Sequence, residues 1–388
     1  MLPLVIAEPT DAVLKLKFDS LIHSPLDVAI ARRPTKSSSY QIDTMNIRHS
    51  VTDLQLVHPF RISRRDADQF RQVISVEIDG GIGEAAPARF YGEDAATVQD
   101  ALEIFDSNLD GNLDAIQAVM DRLECSLPGN YAAKCAVDMA LHDRLGKQLG
   151  VPLYRLWGLN PKKTPRTAFT IGLDEPEIMG RKAAEARDYP ILKVKLGMPH
   201  DLQIIRAIRR ETDKPIYVDA NTAWTPKEAV LKIGELVPYG IKLIEQPTCA
   251  DDLEGLRYVR EHVGVPIIAD ESVKRAADIP ALLGCVDGIN IKLTKCGGLL
   301  EAVRMIHAAR THGLQVMIGC MIESSLGITA AAHLTPFVDY ADLDGHLLIA
   351  NDPYAGVTLE AGKIILPDRP GIGVIPRDSG PTPPSDTL

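Results

Sequence analysis

Cysteine is scarce in this chain and scattered. Cys125, Cys135, Cys249, Cys285, Cys296 and Cys320 form no CxxC pair and no Cys/His cluster. That speaks against a zinc site and a disulfide-framed scaffold, and fits a reducing cytoplasm. No apolar run approaches the roughly 20 residues that span a bilayer, so no membrane partner is expected. A basic surplus is missing as well. With a formal net charge of −10, no basic patch stands ready to displace the counterions of nucleic acid. The opening MLPLVIAEPTDAV has no basic lead and meets Glu8 and Asp11 early, so it does not read as a signal peptide.

What is present is the balance of a soluble globular protein. The chain has 388 residues, 45% of them hydrophobic and 24% charged, enough for one large α/β barrel and a smaller companion domain. Residues 1–44, with RRPTKSSSY, sustain neither period and read as an extension outside the catalytic fold, of disordered character. From Met45, MNIRHSVTDLQLVHPF reads as a strand. RQVISVEID, a turn at Gly80-Gly81 and IGEAAP then read as an antiparallel ribbon. Helical periodicity follows in DAATVQDALEIF, LDAIQAVMDRL and YAAKCAVDMALHDRLGKQLG, the last ending on a glycine suited to a C-cap. Residues 45–160 therefore form an α+β unit.

The rhythm then changes. Short apolar runs recur about every 25 residues at AFTI, LKVK, IYVD, LIE, IIAD, INIK, VMI and YADL, with a helix-like segment in each gap. Such a repeat over 161–354 predicts a (β/α) barrel, a doubly wound open sheet being the structural alternative. The end, RDSGPTPPSDTL, reads as a disordered tail over 378–388.

Charges sit where the strands end. Lys193 and Lys195 close the second strand and share one face of it; Asp219 closes the third, Glu245 the fourth, Asp270 the fifth and Lys292 the sixth. Any one acid closing a strand serves more often as a helix cap or in a rim ion pair. The conjunction is different: three acids on adjacent strands repel unless a cation lies between them, and all-oxygen ligation selects Mg2+, with Mn2+ as a substitute. In a barrel, the second and sixth strands stand opposite each other, so a carboxylate on the metal would have a lysine over each face of its α-carbon. A divalent ion stabilises the enediolate formed on proton loss. Lys195 then acts as base or acid, Lys193 as the like charge that lowers its pKa, and Lys292 as the partner on the other face. A lysine base with Mg2+ is a known arrangement of enolase-type enzymes.

LKVKLG, VDAN, IEQP, ADES and INIKLTKCGGL, in this order and spacing, resemble the muconate-lactonizing subgroup of the enolase superfamily. The likeness runs from Met45 to Arg377 and takes in GEAAPARFYGE and PGIGV. It implies a (β/α)7β TIM-type barrel with an α+β capping domain over 45–160, completed by 355–377. The mandelate-racemase branch is disfavoured, because its histidine base falls where this chain has IGCMIESS. Asp342 and Asp344 in ADLDG resemble the DxD pair with which dipeptide epimerases hold the substrate's ammonium group. The resemblance further implies substrate contacts at Thr170, Cys320 and Ile322, the last two through backbone atoms. It aligns Arg64, beside Arg61 and Arg65, with the arginine that L-Ala-D/L-Glu epimerases use for the glutamate side chain.

The resulting expectation is a cytoplasmic, Mg2+-dependent, homo-oligomeric dipeptide epimerase. It inverts the α-carbon of the C-terminal residue, with the cell-wall-derived L-Ala-D/L-Glu as first substrate. The rivals are an N-acylamino-acid racemase or o-succinylbenzoate synthase on the same fold, and a barrel that binds metal and ligand without catalysis.

Overall fold

The computed structural model describes residues 47–109 and 111–377; the expected extension over 1–44 and tail over 378–388 lie outside the described residues. An antiparallel sheet comes first, with β1 (Arg48–Ile62), β2 (Arg65–Ile78) and β3 (Gly81–Ala85) in that order. Ile74, Val76 and Ile78 alternate inward along β2 and are buried. The β2–β3 turn falls one residue earlier than expected. Ile78 pairs with Gly81, so the loop is Asp79-Gly80, whose φ values of 46° and 79° are both left-handed. That is the Asp-Gly hairpin that follows the twist of the flanking strands.

The helices α1 (Ala95–Asp106), α2 (Ile116–Ser126) and α3 (Tyr131–Leu149) cover one face of this sheet. A capping box of Asp94 and Thr97 starts α1, and Gly150, at φ 69°, ends α3 as its C-cap. The strand β3 lies so close to α3 that a Cβ on Gly83 would stand 2.0 Å from the Ala136 carbonyl oxygen. A short α4 (Leu153–Leu156) leads towards the second sheet.

That sheet is the barrel. Parallel strands β4 (Phe169–Ile171), β5 (Leu192–Lys195), β6 (Ile216–Asp219), β7 (Ile241–Glu245), β8 (Ile267–Ala269), β9 (Gly288–Lys292), β10 (Gln315–Gly319) and β11 (Tyr340–Asp342) lie side by side in chain order. A parallel bridge between Thr167 and Ala341 closes the ring, the Ala168 N–H donating to the Ala341 carbonyl at 3.1 Å. Outside run α5 (Pro176–Glu185), α6 (Asp201–Glu211), α7 (Pro226–Leu236), α8 (Leu253–His262), α9 (Leu293–Cys296), α10 (Leu299–Thr311) and α11 (Ser325–Ala332). One expected helix is missing: after β8 the chain makes only a 3-10 turn, Ala276–Leu282, with Pro280 inside it. Proline lacks the N–H that an α-helix needs there. Nor does a helix follow β11, where a 3-10 turn, Gly345–Leu348, takes its place. Beyond it, β12 (Tyr354–Ala355) pairs with β15 (Ile375–Pro376), and β13 (Thr358–Glu360) with β14 (Lys363–Ile365). The segment around Ile372 returns to α3, the Ile372 N–H donating to Asp143 at 2.7 Å.

Both faces of the barrel strands are buried. Leu192, Val194, Ile216, Val218, Ile244 and Ile291 join the large core beneath the outer helices. Ala168, Tyr217, Leu243, Ile268 and Met317 form a separate apolar plug, because successive side chains alternate between the outside and the interior. Interior positions nearer the strands' C-terminal ends carry charge instead of methyl groups. No helix among the described residues is long and apolar enough to cross a membrane.

Candidate active site

Strand register sets the charged layer. Lys195 pairs with Asp219, and Asp219 with Glu245, so the three point inward side by side. Asp270 is the first residue past β8, two beyond the inward Ile268, and so faces the same way. Lys292 closes β9 opposite Gly319, which in turn pairs with Asp342 on β11. In a closed ring of eight, β5 and β9 are diametrically opposed. Lys195 and Lys292 thus enter one cavity of about 860 Å³ from opposite sides, together with Thr170, Lys193, Cys320, Ile322, Asp342, Asp344 and Arg64.

The three acids share one buried layer. Asp219 and Glu245 are 0% exposed and Asp270 1%. Lys193 Nζ lies 2.6 Å from Asp342 Oδ2, 2.8 Å from Glu245 Oε2 and 3.2 Å from Asp219 Oδ2. Lys195 donates to Asp219 Oδ2 at 2.5 Å, and Lys292 to Asp270 Oδ2 at 2.8 Å. Burial opposes ionisation of Asp219, but Lys195 and Lys193 overcome it and hold the acid below its usual range. The same holds for Asp270 through Lys292 and Lys295. Glu245 goes the other way, raised by burial and by the charge of Asp219. Burial works to discharge Lys193, yet Asp342, Glu245 and Asp219 raise its pKa well above normal, so it stands as a fixed positive neighbour.

Lys292 is held as a cation by its neighbour. Burial lowers its pKa and Lys193 adds to that, but Asp270 outweighs both and the net direction is upward. An ion pair at 2.8 Å outweighs a like charge on an opposed strand. The DxD pair also differs in detail from two acids on one strand face. Asp342 ends β11, while Asp344 lies beyond it in the loop, its Oδ2 accepting from the Thr170 N–H at 2.6 Å. Burial and Asp342 push its carboxyl up to about 6. Cys320 Sγ contacts the Asp342 carbonyl at 3.3 Å. Arg64, at the tip of the β1–β2 hairpin, pairs with Glu271 and donates to the Asn221 carbonyl at 3.2 Å.

Two residues of this layer were missed in the sequence. Lys295 is buried and donates to Asp270 O at 2.5 Å, Asp270 Oδ1 at 2.7 Å and Asn290 O at 3.0 Å. The Asn290 amide donates to Glu245 Oε1 at 2.9 Å. The signal for Asn290 was present: in INIK it shares the inward face with Lys292. Lys295, one helical turn past Lys292, had no such mark.

Asp219, Glu245 and Asp270 offer only oxygen, which suits a hard divalent cation. Glu245 Oε2 is buried and accepts no hydrogen bond, the nearby Lys193 ammonium standing at an angle that makes an ion pair only. Among the described residues, no three His, Cys, Asp or Glu side chains already stand together at ligating distance; each acid holds an ammonium group instead. The donor chemistry fits the ion, and the lysines supply the positive charge that the acids require.

Comparison with known proteins gives the family. Residues 45–158 match the mandelate racemase / muconate lactonizing enzyme N-terminal domain, and residues 179–379 the enolase C-terminal domain-like family. The chain is 42% identical over 328 residues to the L-Ala-D/L-Glu epimerase of Bacteroides thetaiotaomicron, covering 83% of this chain and 86% of that one. It is 39% identical over 324 residues to the hydrophobic dipeptide epimerase of Enterococcus faecalis, covering 78% and 90%. Among solved structures, the dipeptide epimerase of Enterococcus faecalis complexed with Mg and L-Leu-L-Tyr superposes with a TM-score of 0.81 at 36% identity, over 85% of this chain and 99% of that one. The substrate-liganded L-Ala-D/L-Glu epimerase of Bacillus subtilis gives a TM-score of 0.81 at 32% identity, over 86% and 98%. The chain belongs to the mandelate racemase/muconate lactonizing enzyme family of the enolase superfamily.

Proposed function

We propose that this protein is a magnesium-dependent dipeptide epimerase, an isomerase that inverts the α-carbon of the C-terminal residue by 1,1-proton transfer. L-Ala-D/L-Glu is the first substrate to test. One observation carries the reading: lysines on opposed strands, Lys195 and Lys292, flank three buried carboxylates, while an acid pair, Asp342 and Asp344, sits at one end of the same cavity. Relatives named for epimerisation of L-Ala-D/L-Glu and of hydrophobic dipeptides support it.

Asp219, Glu245 and Asp270 hold the cation, which when bound supplies Lewis-acid stabilisation of the charge that develops on the substrate carboxylate. Asp342 and Asp344 receive the ammonium group of the N-terminal residue, and Thr170, Cys320 and Ile322 line the path between. Lys195 in its neutral form takes the α-proton from one face, and Lys292, kept charged by Asp270, returns a proton to the other; the reverse direction exchanges their roles. Lys193 stays charged beside them, held by Asp342, Glu245 and Asp219. Residues 45–160 with 355–377 serve as the cap over the barrel of 161–354, a reading supported by the Ile372 N–H donating to Asp143 of α3. Six unpaired thiols suit a cytoplasmic setting.

The test is proton NMR of the purified protein with Mg2+ and L-Ala-L-Glu in D2O. The α-proton signal of the glutamate is expected to vanish as both epimers appear, while the alanine α-proton persists. Magnesium-loaded, folded protein that exchanges no α-proton of any dipeptide would overturn the reading.

A further inference from the structure

Resting on the reading as a dipeptide epimerase, we infer that Arg89 receives the side-chain carboxylate of an acidic C-terminal residue, and that Arg64 is the strap holding the β1–β2 hairpin over the barrel mouth. The cavity is lined by three arginines, Arg64, Arg71 and Arg89. Two are already committed. Arg71 pairs with Asp68. Arg64 pairs with Glu271, donates to the Asn221 carbonyl at 3.2 Å and rests its guanidinium 4.2 Å from the centre of the Phe90 ring.

The commitment of Arg64 has a physical cause. The Glu271 side chain is 0% exposed, and its Oε2 has no hydrogen-bond partner. Withdrawing Arg64 towards a ligand strands that acid among other acids. The neighbouring contacts have the same purpose. Ser63 Oγ donates to the Ala220 carbonyl at 3.2 Å, and a Cβ on Gly197 would stand 2.6 Å from Ser63 Cβ. The hairpin tip is therefore seated on the rim of the barrel, and Arg64 fastens it.

Arg89 has no such duty. It sits on the 3-10 turn Arg89–Tyr91 in the cap wall and is exposed. Among the described residues, its guanidinium has no ion-pair or hydrogen-bond partner. Phe90 and Tyr91 follow it on the same wall, edge to face at 5.0 Å. An apolar wall ending in a free planar cation suits a side chain with a methylene stem and a terminal carboxylate, which a guanidinium grips with two parallel hydrogen bonds.

The experiment compares kcat/KM for α-proton exchange of L-Ala-L-Glu and its uncharged isostere L-Ala-L-Gln, using the full chain with Mg2+. In the wild-type protein, the ratio should favour the acid. Arg89→Gln should lower that ratio about 100-fold, as a site built for a charged partner loses its discrimination. Arg89→Lys, which keeps the charge and loses the fork, should fall between. Arg64→Gln should lower exchange of both dipeptides together and leave the ratio within about threefold. The inference is overturned if Arg64→Gln collapses the ratio while Arg89→Gln spares it. It is overturned equally if the wild-type protein exchanges both dipeptides without preference, although the functional reading then stands. If no dipeptide is exchanged at all, both fall.

Discussion

Lys193 and Asp342 are 149 residues apart in the chain, yet Lys193 Nζ lies 2.6 Å from Asp342 Oδ2. The pair joins the second barrel strand to the eighth across β4 and couples the ammonium end of the cavity to the carboxylates at its centre. Asp342→Asn removes half of the acid pair and one of the three charges that hold Lys193. Dipeptide exchange should fall about 100-fold, mostly through KM. An N-acylated amino acid, which carries no ammonium group, should lose far less. Equal losses for both substrates would show that Asp342 serves only the fold.

The opposed lysines predict an asymmetric failure. Lys292→Ala should reduce epimerisation at least about 1,000-fold, yet leave Lys195 able to exchange the α-proton that faces it. Lys195→Ala should do the same for the other epimer. Mass spectrometry of each epimer after incubation in D2O reads the difference. Full epimerisation by either variant means that a single base serves both faces.

Chelation should silence the enzyme reversibly. Dialysis against EDTA is expected to abolish exchange, and added Mg2+ to restore it. Glu245→Gln removes one of three oxygen-donor acids and should raise the Mg2+ concentration needed for half-maximal exchange about tenfold or more. A titration of activity against Mg2+ measures it, and an unshifted midpoint would remove Glu245 from the ligand set.

Glu84 ties the cap to the barrel and should make stability depend on pH. Next to last in β3, it meets Ser324 and the N-terminus of α11, accepting from the Ser324 N–H at 3.0 Å and from its hydroxyl. Burial, with Glu323 and Asp352 nearby, pushes its carboxyl up to about 8 from 4.5. A raised acid binds its proton more tightly in the folded state. Its contribution is therefore complete below about pH 4.5 and is lost as pH rises through about 8. Tenfold in proton affinity is about 1.4 kcal/mol, so the swing is on the order of a few kcal/mol. Glu84→Gln should melt near or below the wild type at pH 5 and gain on it by pH 9. A difference in Tm that does not vary with pH would refute this.

Gly83 sets how closely β3 approaches α3. A methyl group there meets the backbone oxygen of Ala136 at 2.0 Å, and the Ala140 nitrogen and Met139 Cβ at 2.9 Å. Gly83→Ala should cost roughly 2–4 kcal/mol, read as a lower denaturation midpoint. Gly234→Ala, which meets nothing within 4 Å, should be neutral or stabilising.

The alternation of LKVK, IYVD and INIK, and the spacing between them, determined the barrel and its ring of charges. A parallel strand covered on both faces has no solvent side, so an ionic group at its end has nowhere to point but the cavity. That is why Lys193, Lys195, Asp219, Glu245, Asp270 and Lys292 were legible as a set. Their partners were not. Arg64 finds Glu271 across 207 residues and Lys193 finds Asp342 across 149, and no local period encodes such distances. Lys295 gained its place from the approach of β8 to β9, Asn290 its partner from β7, and Lys292 its upward pKa from the ion pair with Asp270. Local sequence dictates which face a side chain takes; only the closure of the ring and the seating of the cap decide what it meets there.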